Sequence, residues 1–491
     1  FASYYGDHMV LQKEPAGAVV WGYGQPGATV TLALSRDGGI VVRKKLVTVK
    51  GPAGTWLTVL EPMAQGGPYE LSATQGRQNV TLQDIYFGDV WLCSGQSNMA
   101  MTVLQVANAS RELAAAARYP HVRLLAAAAA RSDRELQDLQ RIDLPWAVPA
   151  AAENLGHGNF TYFSAVCWLL GRALYDARRY PVGLVQAAWS GTPIEAWSSP
   201  RALRACGLLE DTGSPALPAG VPPGQLPSGP QAPSVLWNAM IHPLLRMALR
   251  GIAWYQGKPP QREALGGEAN AWVHREQYSC SFPALIADWR RTAHTASAGQ
   301  SLPLLPFGFV QLSTYRRQSL DDSFARLRWH QTADLGVVPN ARMPNTFMAV
   351  AMDLGDERSP YGIHPRDKQT VALRLQLGAR AVAYGERSLV FQGPYPARAV
   401  LEVTKGLLNV TYSQELVWRR RDAAGFEGWC RRQRGWVPVP VVAVERRMVT
   451  LALAGCGSLV LGLRYAWAEW PCEYQACALY NSQGLPAPPF L

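Results

Sequence analysis

Two stretches of this 491-residue chain carry side chains that could perform nucleophilic catalysis. In "DVWLCSGQSNM", residues 89–99, an apolar strand ends at Ser94-Gly95-Gln96-Ser97-Asn98, and a helical pattern, "SNMAMTVLQVANASRELAAAAR", starts at once. Ser97 therefore falls on a strand-to-helix turn, where backbone N–H groups and the positive end of the helix would meet a developing oxyanion. An ordinary helix N-cap serine has the same placement, so the turn alone does not decide. It is not the Gly-X-Ser-X-Gly elbow of α/β-hydrolases, because Met99 stands where the second glycine belongs. Such a serine needs a base, and "DLGDERSPYGIHPRDKQTVALRLQLGARAVA", residues 353–383, offers His364. It follows the apolar strand "TFMAVAM" and a loop, and it precedes Pro365, a residue suited to the first position of the long amphipathic helix beyond. A histidine at that junction lies at the sheet edge expected for Ser97 and can take the hydroxyl proton. Among eight histidines, His242 in "WNAMIHPLL" and His330 in "RWHQTAD" read as buried, hydrogen-bonded residues, and the others have no comparable setting.

Placing a serine and a distant histidine on one edge asks for a parallel sheet covered by helices. "IYFGDVWLC", "PVGLVQAAW" and "GIAWY" are apolar runs of buried-strand length separated by helical stretches. The fold class expected is thus α/β, with the α/β domain over residues 85–385. Before it, residues 1–84 are β-rich: "ATVTLAL" and "IVVRKKLVTV" flank the turn "RDGG" as a hairpin, and "TWLTVL" and "YELSAT" complete a β-sandwich-like domain. After it, residues 386–491 return to strands such as "ARAVLEVTKGLLNVTY" and "SLVLGLRYAW", a C-terminal β domain. Residues 214–234, "SPALPAGVPPGQLPSGPQAPS", are rich in Pro and Gly and read as an exposed loop. The alanine tract "LLAAAAARS", 124–132, reads as a helix or loop of low information.

Composition narrows the function classes. With 48% hydrophobic and 17% charged residues the chain is globular, and no apolar run of about 18 residues is present to span a membrane. A formal charge of +11 invites a nucleic-acid reading, but no nucleic-acid motif accompanies it. The densest basic cluster, 418–436, reads as a solvated arginine-rich hairpin, and a basic surface favours encounter with an anionic substrate. Sequons at Asn79, Asn108, Asn159 and Asn409, together with eight cysteines, favour a secretory route and disulfides. The four C-terminal cysteines, Cys430, Cys456, Cys472 and Cys477, are expected to pair among themselves, whereas Cys93, inside an apolar strand, reads as a buried thiol. HExxH, paired CxxC and GxxxxGK[ST] are missing from the sequence, so no metal or cofactor is expected.

Five blocks, "SGQSNM", "GLVQAAWSGTPIEAW", "LWNAMIHPL", "WYQG" and "IHPRDKQTVALRLQLGARA", occur in an order and context that resemble the sialate O-acetylesterases of the SGNH hydrolase class. The resemblance covers essentially the whole chain. It implies an SGNH-type three-layer α/β/α domain and a serine esterase that removes O-acetyl groups, mainly 9-O-acetyl, from sialic acids or sialoglycans without a cofactor. It also points to both lysosomal and secreted destinations. Ser97 and His364 match the family's nucleophile and base, and the Ser97 N–H, the Gly191 N–H and the Gln256 amide match its oxyanion hole. Ser190 departs from the Gly-Gly-Thr-Pro usual in relatives. The family's Trp-Tyr-Gln-Gly-Glu block is split here into "WYQ" at 254–256 and "GEAN" at 267–270, so Lys258 belongs to an insertion, residues 257–266. The inserted stretch reads as retained intron sequence in preference to a genuine insertion, since catalytic geometry is sensitive to errors of about 1 Å. For the acid that orients His364 the resemblance ranks Glu268 first, with Asp353 and Asp356 as alternatives and a backbone carbonyl as a further one; Tyr361 occupies the position where many SGNH enzymes carry Asp. Two other functions stay open at this point: an esterase of other acetylated glycans, and a glycan-binding form impaired by the insertion.

Overall fold

A computed structural model describes residues 1–210, 229–257, 275–419, 425–431, 434–453, 456 and 460–491. Glu268, nearly all of the 257–266 insertion and most of the 214–234 loop lie outside these residues. The chain divides into two compact units, the first chiefly Phe1–Gln256 with Ala284–Phe307 and the second chiefly Gly308–Leu491.

The first unit is organised by one long strand, Gln78–Gly95. Its first half is β-partnered from the N-terminal residues. Val10–Gln12 runs parallel to it, and Gly66–Gln75 runs antiparallel to it. The hairpin Thr29–Arg36 and Ile40–Thr48 adds to Gly66–Gln75, as the alternating pattern of its first strand requires. Residue 84, the boundary expected between two domains, falls inside this strand. Its second half is buried at every position from Phe87 onward and forms the centre of a parallel sheet. Gly251–Tyr255 lies on one side. Val182–Ala188 lies on the other, followed by Val122–Ala127 in parallel and Ile142–Ala147 antiparallel at the edge. Strands buried on both faces read as continuous apolar runs, which is why three of them were legible in the sequence.

Two local expectations are overturned here. The alanine tract is neither helix nor loop at its start: Val122–Ala127 is a strand, buried at all six positions. Alanine's helix propensity loses to pairing with a strand on each side. The long helix expected after Ser97 is also broken, into Ser97–Ala100, a 3-10 turn at Val103–Gln105 and a helix at Ala109–Ala115. Met101 and Thr102 turn to extended geometry, where Thr102 bridges Ser164 in a β fashion and a capping box between Thr102 and Gln105 restarts the chain.

Phe307–Gln311, which belongs to the second unit from Gly308 on, and Thr346–Val350 are neighbouring buried strands. Helix Lys368–Val382 packs on the latter, with Gly378 against the Phe347 ring. The helix does not begin at Pro365, as expected. Its N-cap is Asp367, whose carboxylate accepts from the Thr370 N–H at 2.9 Å, so a better cap three residues on outcompetes proline's preset φ. The C-terminal residues form a four-stranded antiparallel sheet and a three-stranded one, in agreement with the β expectation.

All eight cysteines are disulfide-bonded. Cys430–Cys456 and Cys472–Cys477 pair within the C-terminal group as expected. Cys93 is not a thiol: it is bonded to Cys167, on helix Ala165–Arg178. A fully disulfide-bonded complement belongs to an oxidising compartment, which places the chain on the secretory route. Among the described residues no helix is long and apolar enough to cross a membrane. His242 and His330 are hydrogen-bonded through Nδ1, to the Leu136 carbonyl at 2.8 Å and the Asp334 carboxylate at 2.6 Å, in line with the structural roles expected of them.

Candidate active site

Register in the first unit brings three strand ends together. Gly95 is opposite Ala188 on one side and Tyr255 on the other. The residues that leave these three ends, Gln96-Ser97, Trp189 to Thr192 and Gln256, therefore emerge side by side at the carboxyl edge of the sheet. The turn after Gly95 is tight: φ is +139°, and a Cβ there would lie 2.2 Å from the Tyr255 carbonyl oxygen, so only glycine fits. Gln96 N–H donates to that same carbonyl at 3.1 Å, and Trp189 N–H donates to the Gly95 carbonyl at 3.1 Å. Ser97 then opens the short helix, buried together with Asn98 and Met99.

The two other groups expected of an oxyanion hole follow the two neighbouring strand ends. Gln256 is 2% exposed, and its Nε2 donates to the Thr192 carbonyl at 3.3 Å, one residue beyond Gly191. Thr192 is held in turn: its hydroxyl donates to the Trp189 carbonyl at 2.8 Å and accepts from Trp197 Nε1 at 2.8 Å. The loop that presents Gly191 is thus locked from both sides. Thr192 was not singled out from the sequence; the signal was its place between Gly191 and the apolar "PIEAW". In that run Glu195 is buried with Oε2 unpartnered among the described residues, and burial pushes its carboxyl up. A lone acid inside an apolar block was the sequence sign of it.

His364 belongs to the second unit. His364 Nδ1 lies 2.5 Å from the Tyr361 carbonyl oxygen. A carbonyl can only accept, so Nδ1 carries the proton and Nε2 is the basic nitrogen. Neither alternative acid faces His364. Asp353 is fully buried, gripped by Arg374 at 2.6 and 2.9 Å and by the Tyr480 hydroxyl at 3.0 Å. Asp356 accepts from the Arg366 guanidinium at 2.7 and 3.0 Å and from its N–H at 3.1 Å, and these bonds hold its carboxyl below the usual range. Lys368, at the start of the following helix, is fully buried, and burial pushes its ammonium down to about 7.

A family model described as "Carbohydrate esterase, sialic acid-specific acetylesterase" matches residues 87–381, more than half of the chain. The chain belongs to that family. A second model, "Sialate O-acetylesterase C-terminal domain", matches residues 397–491. This acetylesterase-family chain is 53% identical to the sialate O-acetylesterase of Homo sapiens over 500 residues, covering 100% of this chain and 92% of that protein. It is 52% identical to the Mus musculus enzyme over 518 residues, covering 100% and 94%. A carbohydrate acetylesterase from Xanthomonas citri, a solved structure, superposes with a TM-score of 0.77 at 26% identity, covering 99% of this chain and 98% of that one. The family's esterase chemistry and the SGNH-like α/β fold with C-terminal β sheets agree with the reading made from the blocks around Ser97, Gly191, Gln256 and His364.

Proposed function

We propose that this carbohydrate esterase hydrolyses the O-acetyl groups of sialic acids, mainly at the 9-position, through an acyl-enzyme on Ser97. Ser97 Oγ attacks the acetyl carbonyl carbon while His364 Nε2 accepts its proton. The tetrahedral oxyanion is met by the Ser97 N–H, the Gly191 N–H and the Gln256 Nε2. Collapse expels the sugar hydroxyl, which takes the proton back from His364. Water, deprotonated by the same nitrogen, then releases acetate and restores the serine. The observation that carries this reading is the register that sets Gly95, Ala188 and Tyr255 abreast, so that nucleophile and oxyanion donors leave adjacent strand ends. Preorganised donors of this type supply a large part of acyl-transfer catalysis.

The destination is lysosomal, secreted or both, within the secretory route. Asn79, Asn108 and Asn159 are exposed and fit glycan acceptors. Asn409 is half-buried, and its amide donates to Glu402 at 2.7 Å. The test is acetate release from 9-O-acetylated sialic acid by the chain as it stands and by a variant lacking residues 257–266, with Ser97→Ala as blank. Activity in either that is lost in Ser97→Ala supports the proposal. A folded pair that binds the sialoside but releases no acetate overturns it in favour of glycan binding, and preference for acetylated xylose reassigns the substrate.

A further inference from the structure

We infer that Tyr162, backed by His157, is a specificity-determining residue, a stacking face for the pyranose ring of the substrate that the loop 156–163 presents beside the nucleophile. The inference rests on the reading of this chain as an esterase of acetylated sialosides. Three residues of the loop other than glycine take left-handed backbone angles: Asn159 at φ +57°, Phe160 at +58° and Tyr162 at +71°. Asparagine tolerates that region, but aromatic residues rarely enter it. Such outliers persist only where the surroundings impose them, and they cluster at sites that bind or react.

The contacts that impose them come from the two segments bordering Ser97. Gln105, which closes the turn after the nucleophile helix, accepts the Phe160 N–H at 3.1 Å. Gln186, opposite Cys93 on the neighbouring strand, donates to the Tyr162 carbonyl at 3.0 Å and accepts the Ser164 N–H. Ser164 in turn bridges Thr102, and its hydroxyl donates to the sulfur of Met99, two residues past the nucleophile, at 3.3 Å. Gly158 leans on Leu104, whose Cδ2 would lie 3.6 Å from a Cβ at that position. The loop is therefore fixed to residues 99–105, with Phe163 fully buried as its anchor. So held, it leaves Tyr162 39% exposed, next to a Leu104 that is 47% exposed. The His157 ring covers one face of Tyr162, with centroids 3.7 Å apart and planes at 14°, and His157 is itself tied through Nε2 to the Glu153 carbonyl at 3.1 Å. The open part of the tyrosine ring is its other face and its rim. The C–H groups on one side of a pyranose suit the negative face of an aromatic ring, and a ring already fixed gives up little freedom on binding. Because the acetyl carbon must reach Ser97, the sugar that carries it has to rest on what borders the nucleophile turn.

The test uses the full chain with a 9-O-acetylated sialoside and 4-nitrophenyl acetate as paired substrates. Tyr162→Ala is expected to raise KM for the sialoside roughly 3- to 10-fold with kcat nearly kept, and to lower the sialoside-to-nitrophenyl ratio of kcat/KM by the same factor. Tyr162→Phe, which keeps the ring, should restore the ratio. Sialoside binding, titrated on Ser97→Ala so that no turnover interferes, should weaken equally when Tyr162→Ala is added. A merely structural role would depress both substrates alike and lower the melting temperature. Equal loss on both substrates, an unchanged ratio, or a Tyr162→Phe variant as impaired as Tyr162→Ala would each overturn the inference. So would an unchanged selectivity with a lower melting temperature seen only in glycosylated Tyr162→Ala, the mark of a ring covered by the chain's own glycan at Asn159. A chain that neither binds the sialoside nor releases acetate from it fails at the earlier reading, and the stacking role falls with it.

Discussion

Asp353 is an acid close to His364 in sequence that the structure assigns to stability, and its replacement separates the two roles. Its carboxylate is fully buried and receives two bonds from Arg374, which is itself 6% exposed in its side chain, and one from the Tyr480 hydroxyl. Asp353→Ala would leave a guanidinium buried without its counter-charge, a loss of about 3–5 kcal/mol, and would strip the Tyr480 hydroxyl of its acceptor, about 1 kcal/mol more. At roughly 2–4 °C per kcal/mol for a unit of this size, the melting temperature should fall by about 8–24 °C. Thermal unfolding followed by circular dichroism measures the loss, and acetate release well below the new midpoint measures kcat in the folded fraction. The expected result is a large fall in Tm with kcat within about threefold. Asp353→Leu combined with Arg374→Met should recover much of the stability, since replacing both charges removes the uncompensated one. A variant that melts like the wild type, or one that stays folded and loses kcat a thousandfold, refutes the assignment; the second result would make Asp353 the catalytic acid.

Gln256→Ala removes an oxyanion donor and should lower kcat by about 10²–10³ with little change in KM, read from steady-state kinetics. Gly95→Ala drives a Cβ into the Tyr255 carbonyl at 2.2 Å and should abolish soluble, active protein, scored as yield and acetate release from the same preparation. Lys368, pushed down to about 7 by burial, binds its proton less tightly folded than unfolded, so its contribution makes stability rise with pH from about 7 up to lysine's ordinary value. Lys368→Met should remove that slope in denaturant unfolding measured across this window. Replacing Cys93 and Cys167 by alanine opens a cross-link spanning 74 residues and should cost about 4 kcal/mol, measurable as a lowered denaturant midpoint.

What the sequence carried and what it hid follow from where each kind of information resides. Strands Gln78–Gly95, Val182–Ala188 and Gly251–Tyr255 were legible because burial on both faces leaves an apolar run that ends at the first functional polar group. That made Gln96-Ser97 and Gln256 visible as the residues at the ends. Val122–Ala127 was not legible, because alanine favours helix until a neighbouring strand decides otherwise. The break after Ala100 was hidden for a related reason: it depends on the bridge between Thr102 and Ser164, a contact no local pattern announces. Cys93 was misjudged because its partner sits on a helix 74 residues away. The contact of His364 Nδ1 with the Tyr361 carbonyl shows only once the two are seen 2.5 Å apart, since a main-chain carbonyl is carried by every residue type.

The same distribution of roles bears on the interrupted block after Gln256. Gln256 is placed by what precedes it, the strand Gly251–Tyr255 in register with Gly95, and by the Thr192 carbonyl. His364 is placed by residues between Asp356 and Arg366. If these contacts suffice to place the two groups, the chain as it stands releases acetate at a rate comparable with that of the variant lacking 257–266. A chain that is inert until those residues are removed would mean that the glutamate beyond them, and with it the ordinary carboxylate-assisted triad, is required after all.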